Sequence, residues 1–104
     1  MEFENFKEIR EQFCLKHPEV TEGKMMSSPA IHYNNKVFAF FSRQNKMVFK
    51  LGKGFPEEKH HAQLRAFSPF KSKKPLTGWY EADFEGIEIW KELTSISLMK
   101  IKVS

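Results

Sequence analysis

The sequence predicts a two-layer α+β domain, an antiparallel sheet with helices, in the order α-β(3)-α-β(2)-α. Three observations lead there. Apolar residues recur at helical spacing near the start of the chain. A set of short alternating runs, separated by turn-forming residues, follows. A second helical stripe closes the chain. Strands joined by hairpins make an antiparallel sheet, and helices outside it bury their apolar stripes against one of its faces.

The first helix is expected over residues 3–16. Phe3, Phe6, Ile9 and Phe13 form one stripe, and Glu4, Lys7, Glu8, Arg10 and Glu11 fill the polar faces. Pro18 ends it, because the residue before a proline is pushed out of the α region. Residues 19–24 are expected to be a short link. A first strand follows over about 26–33. Asn34-Asn35 supplies two residues that tolerate positive φ, as a two-residue hairpin needs. The second strand runs over 36–42, with Val37, Ala39 and Phe41 expected on one face and Phe38 and Phe40 on the other. With apolar residues on both faces, it is expected to be central. Arg43-Gln44-Asn45 turns the chain. Met47, Phe49 and Leu51 then alternate with Lys46, Val48 and Lys50 in a third strand.

Gly52 and Gly54 break that strand. Pro56 suits a first helical position, with Glu57 and Glu58 at the positive end of the helix dipole, so a middle helix is expected through Arg65. Residues 67–75 read as a strand end and then a loop. Gly78 to Asp83 reads as a strand with Trp79, Glu81 and Asp83 on one face and Tyr80, Ala82 and Phe84 on the other. After Gly86 the stripe of the last helix is expected to be Ile89, Leu93, Ile96 and Met99. No internal repeat or long linker divides the chain, so residues 1–104 are expected to form a single domain.

Composition narrows the class. Eleven Phe, two Trp and two Tyr in 104 residues argue against intrinsic disorder. No apolar run approaches the roughly 20 residues of a membrane helix. The first residues show neither the cationic nor the apolar region of a signal peptide. Cys14, the single cysteine, has no internal disulfide partner. A soluble, cytoplasmic protein with no membrane association is the expectation.

Charge is unevenly spread. The formal net charge is +4. Residues 1–23 carry three cations and six carboxylates, residues 24–74 eleven cations and two carboxylates, and residues 75–104 three cations and five carboxylates. Flanking helices packed on one face of the sheet would then make an acidic helical side and a basic sheet-and-loop side. Arg43, Lys46, Lys50, Lys53, Lys71, Lys73 and Lys74, with Phe55, Phe70 and Trp79 nearby in sequence, are the candidate binding residues. Such a set can hold a phosphate backbone and stack bases, or simply form a solvated lysine face. Lysine outnumbers arginine in it, which favours diffuse electrostatics over bidentate readout.

Other constellations read as structural. Glu57, His60 and His61 lie close in sequence, but a zinc site needs three or four ligands with supporting partners, so no metal is expected. Cys14 has His17 three residues on, yet Pro18 interrupts that turn, so a half-buried structural cysteine is expected. Glu81, Asp83, Glu85, Glu88 and Glu92 offer paired carboxylates without a marked cleft, and read as electrostatic partners of the basic middle. No catalytic residue set and no cofactor is expected. Phe38, Phe40, Phe41, Phe49 and Trp90 read as core. Phe38, Phe40 or Trp79, if left without cover by the helices, would mark a partner or dimer surface.

Several segments resemble one family. Lys24-Met25-Met26-Ser27-Ser28, the Tyr33-Asn34-Asn35-Lys36 turn, the strand from Met47 to Gly52, and Lys74-Pro75-Leu76-Thr77-Gly78-Trp79-Tyr80 before a helix carrying Trp90 are similar to the TfoX N-terminal domain family. The likeness covers about residues 3–100. The chain departs from the family pattern at Met25-Met26-Ser27-Ser28, where Met-Phe-Gly-Gly is usual, and at Asn35, where glycine is usual. The resemblance implies an α-β(3)-α-β(2)-α fold akin to secretion chaperones and MmcQ/YjbR-like proteins. Full-length members place this domain beside a helical one and regulate DNA-uptake competence. The expected function is therefore a non-enzymatic interaction or regulatory module. It would bind a protein partner, a second copy of the chain included, through an apolar sheet surface with lysine-rich surroundings. The alternative is a nucleic-acid-binding accessory domain using the basic 43–74 region.

Overall fold

The stripe of Phe6, Ile9 and Phe13 folds as expected into helix α1, Glu2–Lys16, with Glu2 and Glu4 in its first turn and Lys16 in its last, each matched to the helix dipole. The computed structural model describes residues 2–25, 27–53, 55, 64–67, 77–83 and 87–103. Strands β1, Val20–Met25, β2, Ser28–Tyr33, β3, Lys36–Phe41, and β4, Met47–Lys50, follow in a continuous meander. β5, Arg65–Ala66, and β6, Trp79–Ala82, complete an antiparallel sheet of order β1-β2-β3-β4-β6-β5 among the described residues. Helix α2, Ile87–Lys102, closes the chain. The class is α+β, with helices at both ends of the strand order.

Residues 19–24 are not a link. Val20–Met25 pairs along its whole length with β2, from Val20 opposite Tyr33 to Met25 opposite Ser28. Of the middle helix expected through Arg65, residues 56–63 lie outside the described residues, and Arg65 itself belongs to β5 opposite Glu81.

Local chemistry explains the turns. Asn34 and Asn35 hold φ of 49° and 69°, the positive values that a two-residue hairpin with the right-handed strand twist demands. In the β3–β4 turn Asn45 has φ 61°, and Ser42 Oγ accepts from the backbone amides of Gln44 and Lys46, both at 3.3 Å. A serine hydroxyl bonded to the following amides is a common device for holding such a turn.

The helices pack on one face of the sheet. Their shared core contains Phe6, Ile9, Phe13, Val20, Ile31, Phe38, Phe41, Phe49, Leu51, Trp90 and Leu93. Burying each large side chain contributes about 1.5–3 kcal/mol. Phe41 joins both helices to the sheet: its ring lies 5.4 Å from Phe6 and 6.4 Å, edge-on, from Trp90. Trp90 is fully buried and its indole Nε1 donates to the Asp83 carbonyl at 3.0 Å. The aromatic body packs while its polar tip is satisfied.

Two side-chain alternations differ from expectation. Phe38 joins Ala39 and Phe41 on the helix-covered face, and Val37 joins Phe40 on the other. The cause is a bulge. Ile31 opposes Ala39 but His32 opposes Val37, so Phe38 is an extra residue in β3 and the alternation slips by one. On α2 the inward stripe is Trp90, Leu93, Thr94, Ser97, Leu98 and Ile101, while Met99 is 67% exposed. Thr94 Oγ1 donates to the Trp90 carbonyl at 2.7 Å and Ser97 Oγ to the Leu93 carbonyl at 3.0 Å. With their hydroxyls bonded back to the helix, both residues can be buried.

The helical layer does not form the expected acidic side. α1 carries four carboxylates and three cations, and α2 two carboxylates and three cations, so together they are neutral.

Candidate interaction surface

The second face of the sheet is where most of the described candidate residues meet. Ala30, Phe40 and Val48 form its buried centre, with Met25, Val37, Phe67 and Trp79 packed around them. Phe67 meets Phe40 edge-on at 5.5 Å, and Trp79 lies 5.7 Å from it. Phe38 and Phe40 are therefore covered within the chain itself, at 0% and 4% exposure. Of the sheet aromatics expected to need cover, Trp79 alone stays half-buried.

Register places the cations. Lys50 lies directly opposite Trp79 across β4 and β6, and Val48 opposite Glu81. Directly opposed residues share a face, so the Lys50 stem and the indole are neighbours. Lys50 is exposed. Lys46, two positions before Val48, bonds Glu81 Oε2 through Nζ at 3.2 Å. Its side chain is 25% exposed and that of Glu81 11%. Glu81 thus neutralises one cation of the set, as expected of the acidic residues near the end of the chain. Arg43, exposed in the β3–β4 turn, donates from Nη2 to Ser27 Oγ at 3.1 Å. A glycine at position 27 would lack that acceptor. Lys53 is exposed just past Gly52, whose amide bonds the Gly78 carbonyl at 3.1 Å beside Trp79.

Trp79 and Lys50 therefore come together, with the Lys53 backbone beside Gly78. Arg43 sits at the far end of β4, and Lys46 is engaged by Glu81. Lys71, Lys73, Lys74 and Phe70 lie outside the described residues. Phe55 packs on the opposite side, its ring 5.8 Å from Tyr80 and 5.9 Å below Lys100 Nζ.

The structural reading of Cys14 is supported by its electrostatics. Burial pushes the thiol above its ordinary range, the Glu22 carboxylate pushes it further, and Arg10 opposes them. Both leading influences disfavour the nucleophilic thiolate. Among the described residues no three His, Cys, Asp or Glu side chains converge on a metal position. Glu57, His60 and His61 lie outside those residues.

The fold also builds a groove that sequence reasoning missed. The facing turns of α1 and α2 enclose about 430 Å³ between Gln12, Lys16 and His17 on one side and Glu88, Lys91, Glu92 and Ser95 on the other. Gln12 Oε1 is buried there without a hydrogen-bond partner among the described residues. The spacing of Glu88 and Glu92 put them one helical turn apart, but nothing in the sequence placed α1 across from them. No family model, curated protein or solved structure matches this chain.

Proposed function

We propose that the chain is a non-enzymatic interaction module that binds an acidic segment of a protein partner on the second face of its sheet. Trp79 is the apolar anchor, Lys50 and Lys53 are its immediate cations, and Arg43 extends the charge along the edge. The observation that carries this reading is the register of β4 and β6, which sets an exposed lysine directly beside the half-buried tryptophan. Tryptophan in a partly covered position supplies contact area, and lysines at the rim steer an anionic partner with little bidentate selectivity. The raised Cys14 thiol supports a role without a nucleophile at that position. The α+β element order supports the likeness to the TfoX N-terminal type of regulatory domain.

The same pair favours a second reading, single-stranded nucleic acid, since an indole flanked by lysines can stack a base and hold its phosphate. Titration with a pooled library of acidic peptides and with mixed-sequence single-stranded DNA and RNA, each at low and physiological salt, separates the two. Peptide binding lost in Trp79→Ala and slowed in association by Lys50→Glu supports the protein reading. Binding of nucleic acid alone moves the conclusion to the second. Absence of both at low salt sinks the site.

A further inference from the structure

β1 is an edge strand of unusual self-complementarity. It is six residues long, contains no proline, and among the described residues is bounded on one side only, by β2. The other edge, β5, is two residues long. Proteins commonly keep edges short or interrupted because a long one offers its unpaired amides and carbonyls to another strand. The residues of β1 alternate in charge and face. Glu22 and Lys24 lie toward α1, where Glu22 reaches Arg10 at 3.5 Å, and Thr21, Gly23 and Met25 lie on the second face. Thr21, Glu22 and Lys24 are exposed. The Glu22 side chain is 69% exposed, so its pair with Arg10 leaves it accessible.

We infer that β1 pairs antiparallel with β1 of a second copy of this chain, about a two-fold axis through Gly23. In that register Glu22 of each copy stands opposite Lys24 of the other, on one face, and Thr21 opposite Met25 on the other face. Gly23 meets Gly23 with no side chain between the strands. Centring the axis on Glu22 or on Lys24 instead sets two like charges directly opposite, which destabilises a sheet pair. The axis through Gly23 is thus the one of these three that pairs unlike charges. The interface is isologous and self-closing, and it joins two six-stranded sheets edge to edge with their helices on the same side. It uses main-chain hydrogen bonds for affinity and the charge pattern for register. An interface of one strand pair falls below about 1,200 Å², the weak and transient class. It does not rest on the function proposed above.

The test is a charge-swap series followed by light scattering and sedimentation over a wide protein concentration range. The wild-type chain is expected to pass from 12.3 kDa toward twice that mass as concentration rises. Glu22→Lys and Lys24→Glu each turn two attractive pairs into two repulsive ones and should weaken association by about tenfold or more. The double variant Glu22→Lys/Lys24→Glu restores the pairing and should recover the wild-type behaviour. A wild-type chain that stays monomeric, single variants that associate as before, or a double variant that fails to recover, each overturns the inference. Hydrogen exchange on the unmodified chain gives a check that no substitution can confound. Backbone amides of β1 are expected to gain protection with protein concentration, and their indifference to concentration overturns the inference as well.

Discussion

The two faces of one sheet are built differently. The face under the helices is a continuous aromatic and aliphatic core running from Phe13 on α1 to Ile101 on α2. Among the described residues the opposite face has three buried apolar residues, Ala30, Phe40 and Val48, with buried Glu81 beside them, ringed by partly covered Met25, Val37, Phe67 and Trp79 and bordered by Lys46, Lys50 and Arg65. The first face holds the fold together. The second is sealed at its centre and charged at its margin, which leaves it accessible for binding.

Substitutions can break or sharpen that contrast. The largest loss is expected for Trp90→Ala, which empties the helix-covered core and removes the indole donor to the Asp83 carbonyl, at about 3–5 kcal/mol by chemical denaturation. Phe38→Ala should fall in the same range, because the bulge carries Phe38 into that core. Phe40→Ala should cost less, about 3 kcal/mol or below, since Phe67 and the half-buried Trp79 can close over the gap. Equal losses for Phe38 and Phe40 would show the second face to be as tightly packed as the first.

The two ion pairs give a smaller contrast. Glu81→Gln removes the charge that holds partly buried Lys46 and should cost about 1 kcal/mol. Glu22→Gln, at an exposed pair 3.5 Å long, should be nearly neutral for folding stability, about 0–0.5 kcal/mol. The smallest effect concerns Cys14. Its folded-state thiol is raised by burial and by Glu22, so its contribution to stability is complete below the ordinary thiol range and is lost as pH rises through the raised value. Alkylation at neutral pH should be slow compared with a free thiol. Cys14→Ala should remove the alkaline part of the stability loss, measured as melting temperature against pH.

Much of the fold was legible because its local signals agree. The stripe of α1, the Asn34-Asn35 hairpin and the alternation of Met47, Phe49 and Leu51 with Lys46, Val48 and Lys50 each combine pattern with turn chemistry. β1 was not legible because Thr21, Glu22, Gly23 and Lys24 have no apolar alternation. It is a strand because β2 lies beside it, a tertiary fact. The stripe of α2 was misplaced because Thr94 and Ser97 read as polar, and only their bonds to the preceding turn make them fit for the core. For the site, the residue types were visible but their grouping was not. Lys50 beside Trp79 is a matter of register, and the loss of Lys46 to Glu81 joins residues 35 positions apart. The expected acidic side of the molecule failed because the surplus carboxylates of the terminal segments lie partly off the helices, at Glu19, Glu22, Glu81 and Asp83.

The extra residue at Phe38 makes the length of β3 part of its chemistry. Deleting a single residue there would leave the hairpin and the far half of the strand in place. It would also restore strict alternation, and the helix-covered side of the strand would lose a phenylalanine. The position of the bulge, and not the composition of the strand, is therefore what turns both Phe38 and Phe41 toward the helices.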